Sequence, residues 1–236
     1  MLKLTLKVAG IILLGALGAL VFNVSVMPYF LASTYFENFQ FVKDFKQGKI
    51  VVTKTDQVYI QENTAIEDAI ERVKNSVVVI EGKTNTLGLV ATSDGTIITL
   101  ASAIGLNANG VKVFLQGQQV DFKVVKIDTN NNLALLKVDK NNLQTVGFTN
   151  TDSIKLGQKV FLVAPTSPAE DNWFAGEGIV QEVDATSIKT DITAKPAVAG
   201  GPLFNSAGEL VGLNIIDKDG KVSAISISNI QNVLGL

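Results

Sequence analysis

The sequence predicts an all-β domain placed behind an N-terminal membrane-spanning helix, and three observations predict it. Residues 8–36 contain no charged residue, and about 20 apolar residues are enough to cross a bilayer as a helix. From residue 77 onward, short apolar and β-branched segments alternate with turn sequences at close spacing, which is typical of a sandwich or a barrel. No helical stretches separate these segments, so a doubly wound fold or a TIM barrel is not expected.

Residues 1–36 are interpreted as a single membrane anchor. Aromatic residues cluster at the far end of the apolar run, from Tyr29 to Phe36, where the headgroup region favours them. A cleaved signal peptide is the alternative, but its apolar core normally spans about 7–15 residues and precedes the cleavage site. Here the small-residue triplet Ala16-Leu17-Gly18 lies inside the apolar run. We expect the N-terminus inside the cell and the C-terminal domain outside the cytoplasm.

Residues 37–63 are predicted to form a juxtamembrane stalk, and residues 64–236 one globular domain. The domain begins with a capping-box sequence, Thr64 to Glu67, which predicts a helix through residue 74. The strands that follow fall into two groups that divide near 140–155, and a short helix is expected at 228–234. The predicted strands are 77–80, 88–91, 96–100, 111–115, 120–127, 133–138, 158–163, 178–183, 187–191, 203–204, 210–216 and 221–226.

The composition excludes several classes of chemistry. The 236 residues contain no cysteine and no histidine, which excludes disulfides, thiol nucleophiles, histidine bases and histidine-ligated metals. No metal site or cofactor is expected. The net charge of −2 argues against nucleic-acid binding, which normally requires a basic face.

Four motifs in order resemble the trypsin-like serine peptidases, and most closely their HtrA/Deg branch. Residues 199–214 read AGGPLFN, two further residues and then GELVGLN, which is similar to the nucleophile region of that branch. The other three matching segments are DGTIIT at 94–99, NLALLK at 132–137 and TD at 190–191. The resemblance covers about residues 64–236 and implies two packed six-stranded barrels with a cleft between them.

The alignment of these motifs with the family also implies a catalytically inactive protein. The histidine, aspartate and serine of the family's triad fall on Ser102, Asn132 and Ala199. An alanine has no atom that can attack a carbonyl carbon, and a serine hydroxyl is not a useful base near pH 7. We therefore expect no enzymatic activity from this triad.

The resemblance also locates the segment equivalent to the oxyanion hole at Ala197, Val198 and Ala199. The family has glycine two residues before the nucleophile, where this sequence has Ala197. A side chain at that position is expected to keep the backbone N–H from turning toward the hole.

Two further interpretations concern residues near this segment. An unorthodox serine endopeptidase using Ser102 and Lys195 is an alternative, since a desolvated lysine can serve as the base of a serine nucleophile. Thr190, Asp191 and Ile192 are candidates for a peptide groove. Trp173, in the loop predicted before Gly178, is interpreted as barrel core, as one wall of that groove or as an oligomer contact.

The functional hypothesis is a membrane-anchored, inactive HtrA-type homologue that binds peptides or proteins. The partners expected are an unfolded client or an active HtrA-like relative in a homo- or heterotrimer, in extracytoplasmic protein quality control. HtrA-like proteins usually carry a C-terminal PDZ domain, and none is expected in this sequence. This favours partner binding through the barrel surface or the stalk over client binding.

Overall fold

The computed structural model describes residues 14–15, 17–26, 28–29, 62–82, 84–105, 108–167 and 172–236. The chain divides into two compact units, Met1–Tyr59 and Ile60–Leu236. In the first unit the described residues are helical, with a π-helical turn at Phe22–Val26. Within the described part of the chain, no helix combines the length and apolar composition needed to span a bilayer. Most of the predicted anchor and nearly all of the predicted stalk lie outside the described residues.

The second unit contains three helices, thirteen strands and three 3-10 turns among its described residues. The helices are α1 (Glu62–Val73), α2 (Ala101–Ile104) and α3 (Ile227–Leu234). The 3-10 turns are Lys74–Ser76, Thr151–Ser153 and Pro196–Val198. The strands are β1 (Val77–Glu81), β2 (Thr86–Val90), β3 (Thr96–Leu100), β4 (Lys112–Leu115), β5 (Gln118–Val120), β6 (Phe122–Asp128), β7 (Leu133–Val138), β8 (Lys159–Pro165), β9 (Trp173–Val183), β10 (Ser187–Thr193), β11 (Pro202–Asn205), β12 (Leu210–Ile216) and β13 (Lys221–Ser226).

The six strands β8–β13 form a closed antiparallel barrel in the order β10-β13-β12-β11-β8-β9. This confirms the prediction of an all-β fold and of a second six-stranded barrel. The strands alternate buried and exposed side chains where only the inner face is covered, as in β10. Strands β8 and β11 have almost entirely buried side chains, because other elements pack on their outer faces.

The first group of strands differs from the predicted six-stranded barrel. It is a seven-stranded antiparallel sheet in the order β5-β4-β1-β2-β3-β7-β6. The extra strand arises because the segment predicted as one strand, 120–127, breaks at Asp121 and pairs with β4 before it and with β7 after it. The two ends of the sheet are therefore consecutive in the chain, although hydrogen bonds do not close them into a barrel.

Strand β9 begins at Trp173, five residues earlier than predicted, so Trp173 lies in a strand rather than in a loop. Two glycines of this strand, Gly176 and Gly178, allow close packing against β10. A Cβ at position 178 would lie 2.1 Å from Asp191 Oδ1 and 2.6 Å from Ile192 Cγ1. Glycine is therefore required where β10 crosses this strand.

The largest apolar cluster contains side chains from both sheets, including Leu89, Leu133, Phe161 and Phe204. The rings of Phe161 and Phe204 lie 5.4 Å apart between centroids. Helix α1 joins the same cluster through Ile66, Ala69 and Val73. Because the two sheets share one core, the loops at their junction are held in fixed relative positions, and the candidate site lies among these loops.

Candidate functional site

Ser102 and Asn132 are brought into direct contact. Ser102 lies exposed in α2, which directly follows β3, and Asn132 is the residue before β7. The backbone N–H of Ser102 donates a hydrogen bond to Asn132 Oδ1 at 2.9 Å, and the N–H of Ala101 donates to the Asn132 carbonyl at 3.0 Å. Two of the three positions that align with the family's catalytic triad therefore form one hydrogen-bonded unit, the Ser102–Asn132 unit.

A turn built on Asp128 holds Asn132 in its conformation. Asn132 has a φ of +53°, a left-handed conformation that asparagine tolerates better than most residues. The Asp128 carboxylate accepts hydrogen bonds from the N–H groups of Asn130 and Asn131, each at 3.1 Å, and from Asn131 Nδ2 at 2.7 Å. This carboxylate is engaged in the turn, so it is not available as a catalytic acid or base.

These hydrogen bonds make the turn sensitive to acid. The side chain of Asn131, followed by the backbone amides of Asn131 and Asn130, holds the pKa of Asp128 below its ordinary value. A carboxyl whose pKa is lower in the folded state stabilises the fold above its unfolded pKa of about 3.9. This contribution is lost as the pH falls through the folded value.

We therefore expect Asp128→Asn to reduce the fall in Tm between pH 7 and pH 3, because the amide does not titrate. Thermal unfolding of the full chain followed by circular dichroism measures this difference. Asp121→Asn, at an exposed position between β5 and β6, is the matched control and should leave the fall unchanged. An identical fall in Asp128→Asn and the wild type would contradict the assignment.

Ala199 follows the 3-10 turn Pro196–Val198, and the turn uses the backbone amides of this loop internally. The Val198 N–H donates to the Lys195 carbonyl at 3.0 Å, and the Ala199 N–H donates to the Pro196 carbonyl at 3.0 Å. Ala197 lies within the turn and its φ is not positive. An oxyanion hole requires amide N–H groups that point at the substrate oxygen, and the Ala199 N–H points instead at a carbonyl of its own turn.

Contacts with the first sheet fix this loop. The N–H of Leu87 in β2 donates to the Ala199 carbonyl at 2.8 Å. Gly200 has a φ of +76°, and a Cβ there would lie 2.4 Å from the Leu87 carbonyl oxygen and 3.4 Å from Leu100 Cγ. Leu100 directly precedes α2, so these contacts bring the Ala199 loop close to the Ser102–Asn132 unit.

The residues present do not form a general base for a nucleophile. Asn132 is a neutral amide, Ala199 ends at a methyl group, and the sequence has no histidine. Lys195 is exposed at the start of the 3-10 turn, whereas a lysine base must be desolvated to lose its proton near neutral pH. Among the described residues, no group of three or more potential ligands could hold a metal ion.

The predicted groove residues lie mainly inside the second barrel. Thr190 and Ile192 are buried, at 3% and 4% exposure, and Thr190 Oγ1 donates to the Val222 carbonyl. The carboxylate of Asp191 accepts the Ile179 N–H at 2.7 Å. Trp173 is half-buried and packs against the main core. The side chains of Thr190 and Ile192 are therefore not available to line an open groove.

The sequence reasoning missed three structural roles. Leu87 and Gly200 hold the Ala199 loop against the first sheet. They are 113 residues apart in the chain, so no local sequence pattern predicts their contact. Asp191 joins β10 to β9 through the Ile179 N–H, next to the point where the register of the two strands shifts. Asp128 organises the turn before Asn132, and its run of asparagines is a turn signal that could have been used.

Comparison with known proteins identifies the family. The Trypsin-like peptidase domain family matches residues 86–213, which is more than half of the chain. A DegP-like periplasmic serine endoprotease of Halomonas elongata is 32% identical over 136 residues, covering 54% of this chain and 28% of its own. The serine protease HhoB of Synechocystis is 32% identical over 162 residues, covering 62% of this chain and 38% of its own.

These matches cover less than two fifths of either relative's own length. The matched segment contains Ser102, Asn132 and Ala199, together with β2 and most of the second barrel. Sequence and fold therefore agree: the chain belongs to the trypsin-like peptidase family and is similar to its HtrA- and DegP-like members.

Proposed function

We propose that this protein is an inactive HtrA-like homologue that binds a peptide or protein partner and acts as a regulatory or scaffolding subunit. The observation that carries the proposal is the composition of the site within a trypsin-like peptidase fold. The Ser102–Asn132 unit and the Ala199 loop are held by hydrogen bonds of backbone groups. Ala199, however, has no nucleophilic atom, and neither Ser102 nor Asn132 can act as a general base near pH 7.

The closed turn supports the same proposal. With its N–H bonded to the Pro196 carbonyl, Ala199 has no free amide to stabilise a developing oxyanion. Such stabilisation is commonly the largest single contribution to acyl-transfer catalysis. A protein that lacked only the nucleophile would still retain a free amide for the oxyanion. This chain differs from the family both at the nucleophile position and at this amide.

The alternative endopeptidase using Ser102 and Lys195 receives no support from the geometry. Lys195 is exposed, whereas a lysine that serves as the base of a serine nucleophile is buried away from water. Binding without cleavage is therefore the function that we propose.

An extracytoplasmic, membrane-anchored location is part of the proposal. The Halomonas relative is described as periplasmic, and the uncharged run at 8–36 is long enough to span a bilayer. Four large apolar side chains of the first unit, Leu14, Leu17, Leu20 and Phe22, are more than half exposed. Such side chains suit contact with lipid better than contact with water.

The test is partner capture from native membranes. The tagged full chain is crosslinked in cells and purified, and the recovered proteins are identified and quantified by mass spectrometry. We expect one HtrA-like protease in a fixed ratio to the tagged chain. Residues 1–61 fused to an unrelated globular protein are the control, because this fusion keeps the proposed anchor and lacks the peptidase-like domain.

Two outcomes would overturn the subunit role. Recovery of many unrelated exported proteins, without an enriched relative, would replace it by the binding of unfolded chains. A set of proteins identical to that recovered by the fusion control would remove the peptidase-like domain from partner binding altogether.

A further inference from the structure

Glycine follows an asparagine or an aspartate at three places in the chain, which are Asp94-Gly95, Asn109-Gly110 and Asp219-Gly220. At such a pair the backbone nitrogen of the glycine can attack Cγ of the preceding side chain, because glycine has no Cβ to hinder the approach. The attack requires a glycine nitrogen that is free of hydrogen bonds and a backbone that can move. The surroundings of each pair therefore decide whether it reacts in the folded chain.

Hydrogen bonds protect the two aspartate pairs. The Gly95 N–H donates to the Thr92 carbonyl at 3.1 Å, and the Gly220 N–H donates to the Asp217 carbonyl at 3.1 Å. Gly95 is also buried, and Gly220 is half-buried. Both nitrogens therefore point at a carbonyl of their own turn and not at the preceding carboxyl group.

The third pair is open. Asn109 and Gly110 are both exposed, and a Cβ at position 110 would meet no atom within 4 Å. Within the described part of the chain, neither the Gly110 N–H nor the Asn109 side chain takes part in a hydrogen bond. The turn is closed by a bond of 3.2 Å from the Val111 N–H to the Ala108 carbonyl, at the long end of the usual range. Ala108 has a φ of +50°, a strained conformation for an alanine, so the turn is weakly held.

We propose that Asn109 is a site of spontaneous deamidation in the folded chain. The Gly110 nitrogen forms a bond to Asn109 Cγ, the bond from Cγ to Nδ2 breaks, and Nδ2 leaves as ammonia with the proton that the Gly110 nitrogen has lost. The product is a five-membered succinimide ring. One water molecule then opens the ring at either carbonyl, which yields aspartate or isoaspartate at position 109 and releases a proton.

The reaction changes both the charge and the backbone of the turn that leads into β4. Either product adds one negative charge. Isoaspartate also lengthens the main chain by one carbon atom between Ala108 and Val111, so their hydrogen bond is expected to be lost. Both of these residues pack against the apolar cluster within the first sheet. The modified fraction records the age of the chain, and the proposal does not depend on the proposed function.

The test is the rate at which residue 109 gains mass in the full chain at neutral pH. Deamidation raises the mass by about 1 Da. Cleavage after lysine releases residues 84–112 as one peptide that contains both Asn109 and Asp94, and fragmentation by electron transfer distinguishes isoaspartate from aspartate. Digestion in oxygen-18 water identifies any reaction that occurs during handling.

Each pair is measured in the folded chain and in the chain unfolded by urea, because asparagine and aspartate differ in intrinsic reactivity. We expect folding to slow the reaction at Asn109 by less than about threefold. At Asp94 and Asp219 folding should slow isomerisation by at least about tenfold, because the glycine N–H must first be released from its hydrogen bond.

Asn142 is the matched internal control. It is also exposed and has a φ of +57°, but a leucine follows it, and the Leu143 N–H donates to the Ser93 carbonyl at 3.0 Å. It should keep its amide throughout the incubation. A folded chain in which Asn109 reacts no faster than Asn142 would overturn the proposal. Protection of Asn109 by folding as strong as that of Asp94 would overturn it equally, since the turn would then not be open to the reaction.

A second readout follows the backbone of the turn. Amide hydrogen exchange at Val111 should become faster as the wild-type chain ages, because isoaspartate removes the hydrogen bond to Ala108. Asn109→Gln keeps a side-chain amide, but its longer side chain would have to form a six-membered ring, which closes far less readily. Exchange at Val111 in this variant should not change with time, and a change as large as in the wild type would contradict the assignment to Asn109.

Discussion

The full chain carrying Ser102→His, Asn132→Asp and Ala199→Ser is expected to remain almost inactive, although it then has all three residues of a serine-peptidase triad. An aspartate at 132 can keep the left-handed backbone and the hydrogen bond from the residue 102 N–H, since this conformation suits aspartate as well as asparagine. The triad itself should therefore assemble. The missing element is the oxyanion hole, because the N–H of residue 199 remains bonded to the Pro196 carbonyl in the 3-10 turn.

Adding Ala197→Gly to these three changes is expected to raise kcat by at least about 10²-fold. Glycine gives position 197 access to backbone conformations that an alanine rarely adopts, so the turn can open and release its amide N–H groups. Loss of one oxyanion-hole donor costs about 10²–10³ in kcat in serine peptidases, and the gain should be of this size. Cleavage of a fluorogenic peptide and labelling by a fluorophosphonate both measure it.

The control for this comparison is the chain with Ser102→His, Asn132→Asp and Ala197→Gly that keeps Ala199. It has the open turn and no nucleophile, so any hydrolysis that it shows comes from a contaminant. Equal activity of the chains with and without Ala197→Gly would contradict the role given to the turn. The wild-type chain should show neither cleavage nor labelling.

The strands and the site residues could both be predicted from the sequence, but on different grounds. Alternation of short apolar segments with turns predicts an all-β unit because side chains on a strand alternate between two faces. Ser102 and Asn132 are 30 residues apart in the chain. Only the alignment of the sequence with the family motifs predicted that they belong to one site. The structure shows that the two residues are in direct contact, because the Ser102 N–H donates a hydrogen bond of 2.9 Å to Asn132 Oδ1.

The features that could not be predicted depend on contacts between distant segments. The sequence predicts a strand only from Gly178 onward, whereas β9 begins at Trp173. Glycine is needed at position 178 because Asp191 and Ile192 occupy the space of its side chain. The division of one predicted strand at Asp121 follows from pairing with two different neighbours. The closed turn before Ala199 depends on the backbone torsions of Pro196–Val198, which the sequence constrains only at the proline.

The contacts between the Ala199 loop and β2 lead to the second large prediction, that Gly200→Ala destabilises the fold more than Gly105→Ala. Both glycines have positive φ angles, +76° and +65°, so an alanine at either position costs about 1–3 kcal/mol of backbone strain. The Cβ at position 105 would meet open space. The Cβ at position 200 would lie 2.4 Å from the Leu87 carbonyl oxygen and 3.2 Å from Thr99 Oγ1.

Backbone atoms of a central strand cannot rotate away as a side chain can, so β2 or the loop must shift. Overpacking of this kind costs about 1–3 kcal/mol, which brings the expected loss for Gly200→Ala to about 2–6 kcal/mol, against about 1–3 kcal/mol for Gly105→Ala. Urea unfolding of the full chain measures both losses. Amide hydrogen exchange at Leu87 should accelerate only in Gly200→Ala, since its N–H donates to the Ala199 carbonyl. Equal losses in the two variants would mean that the Ala199 loop leaves β2 at little cost, and the first sheet would then not be what holds the turn closed.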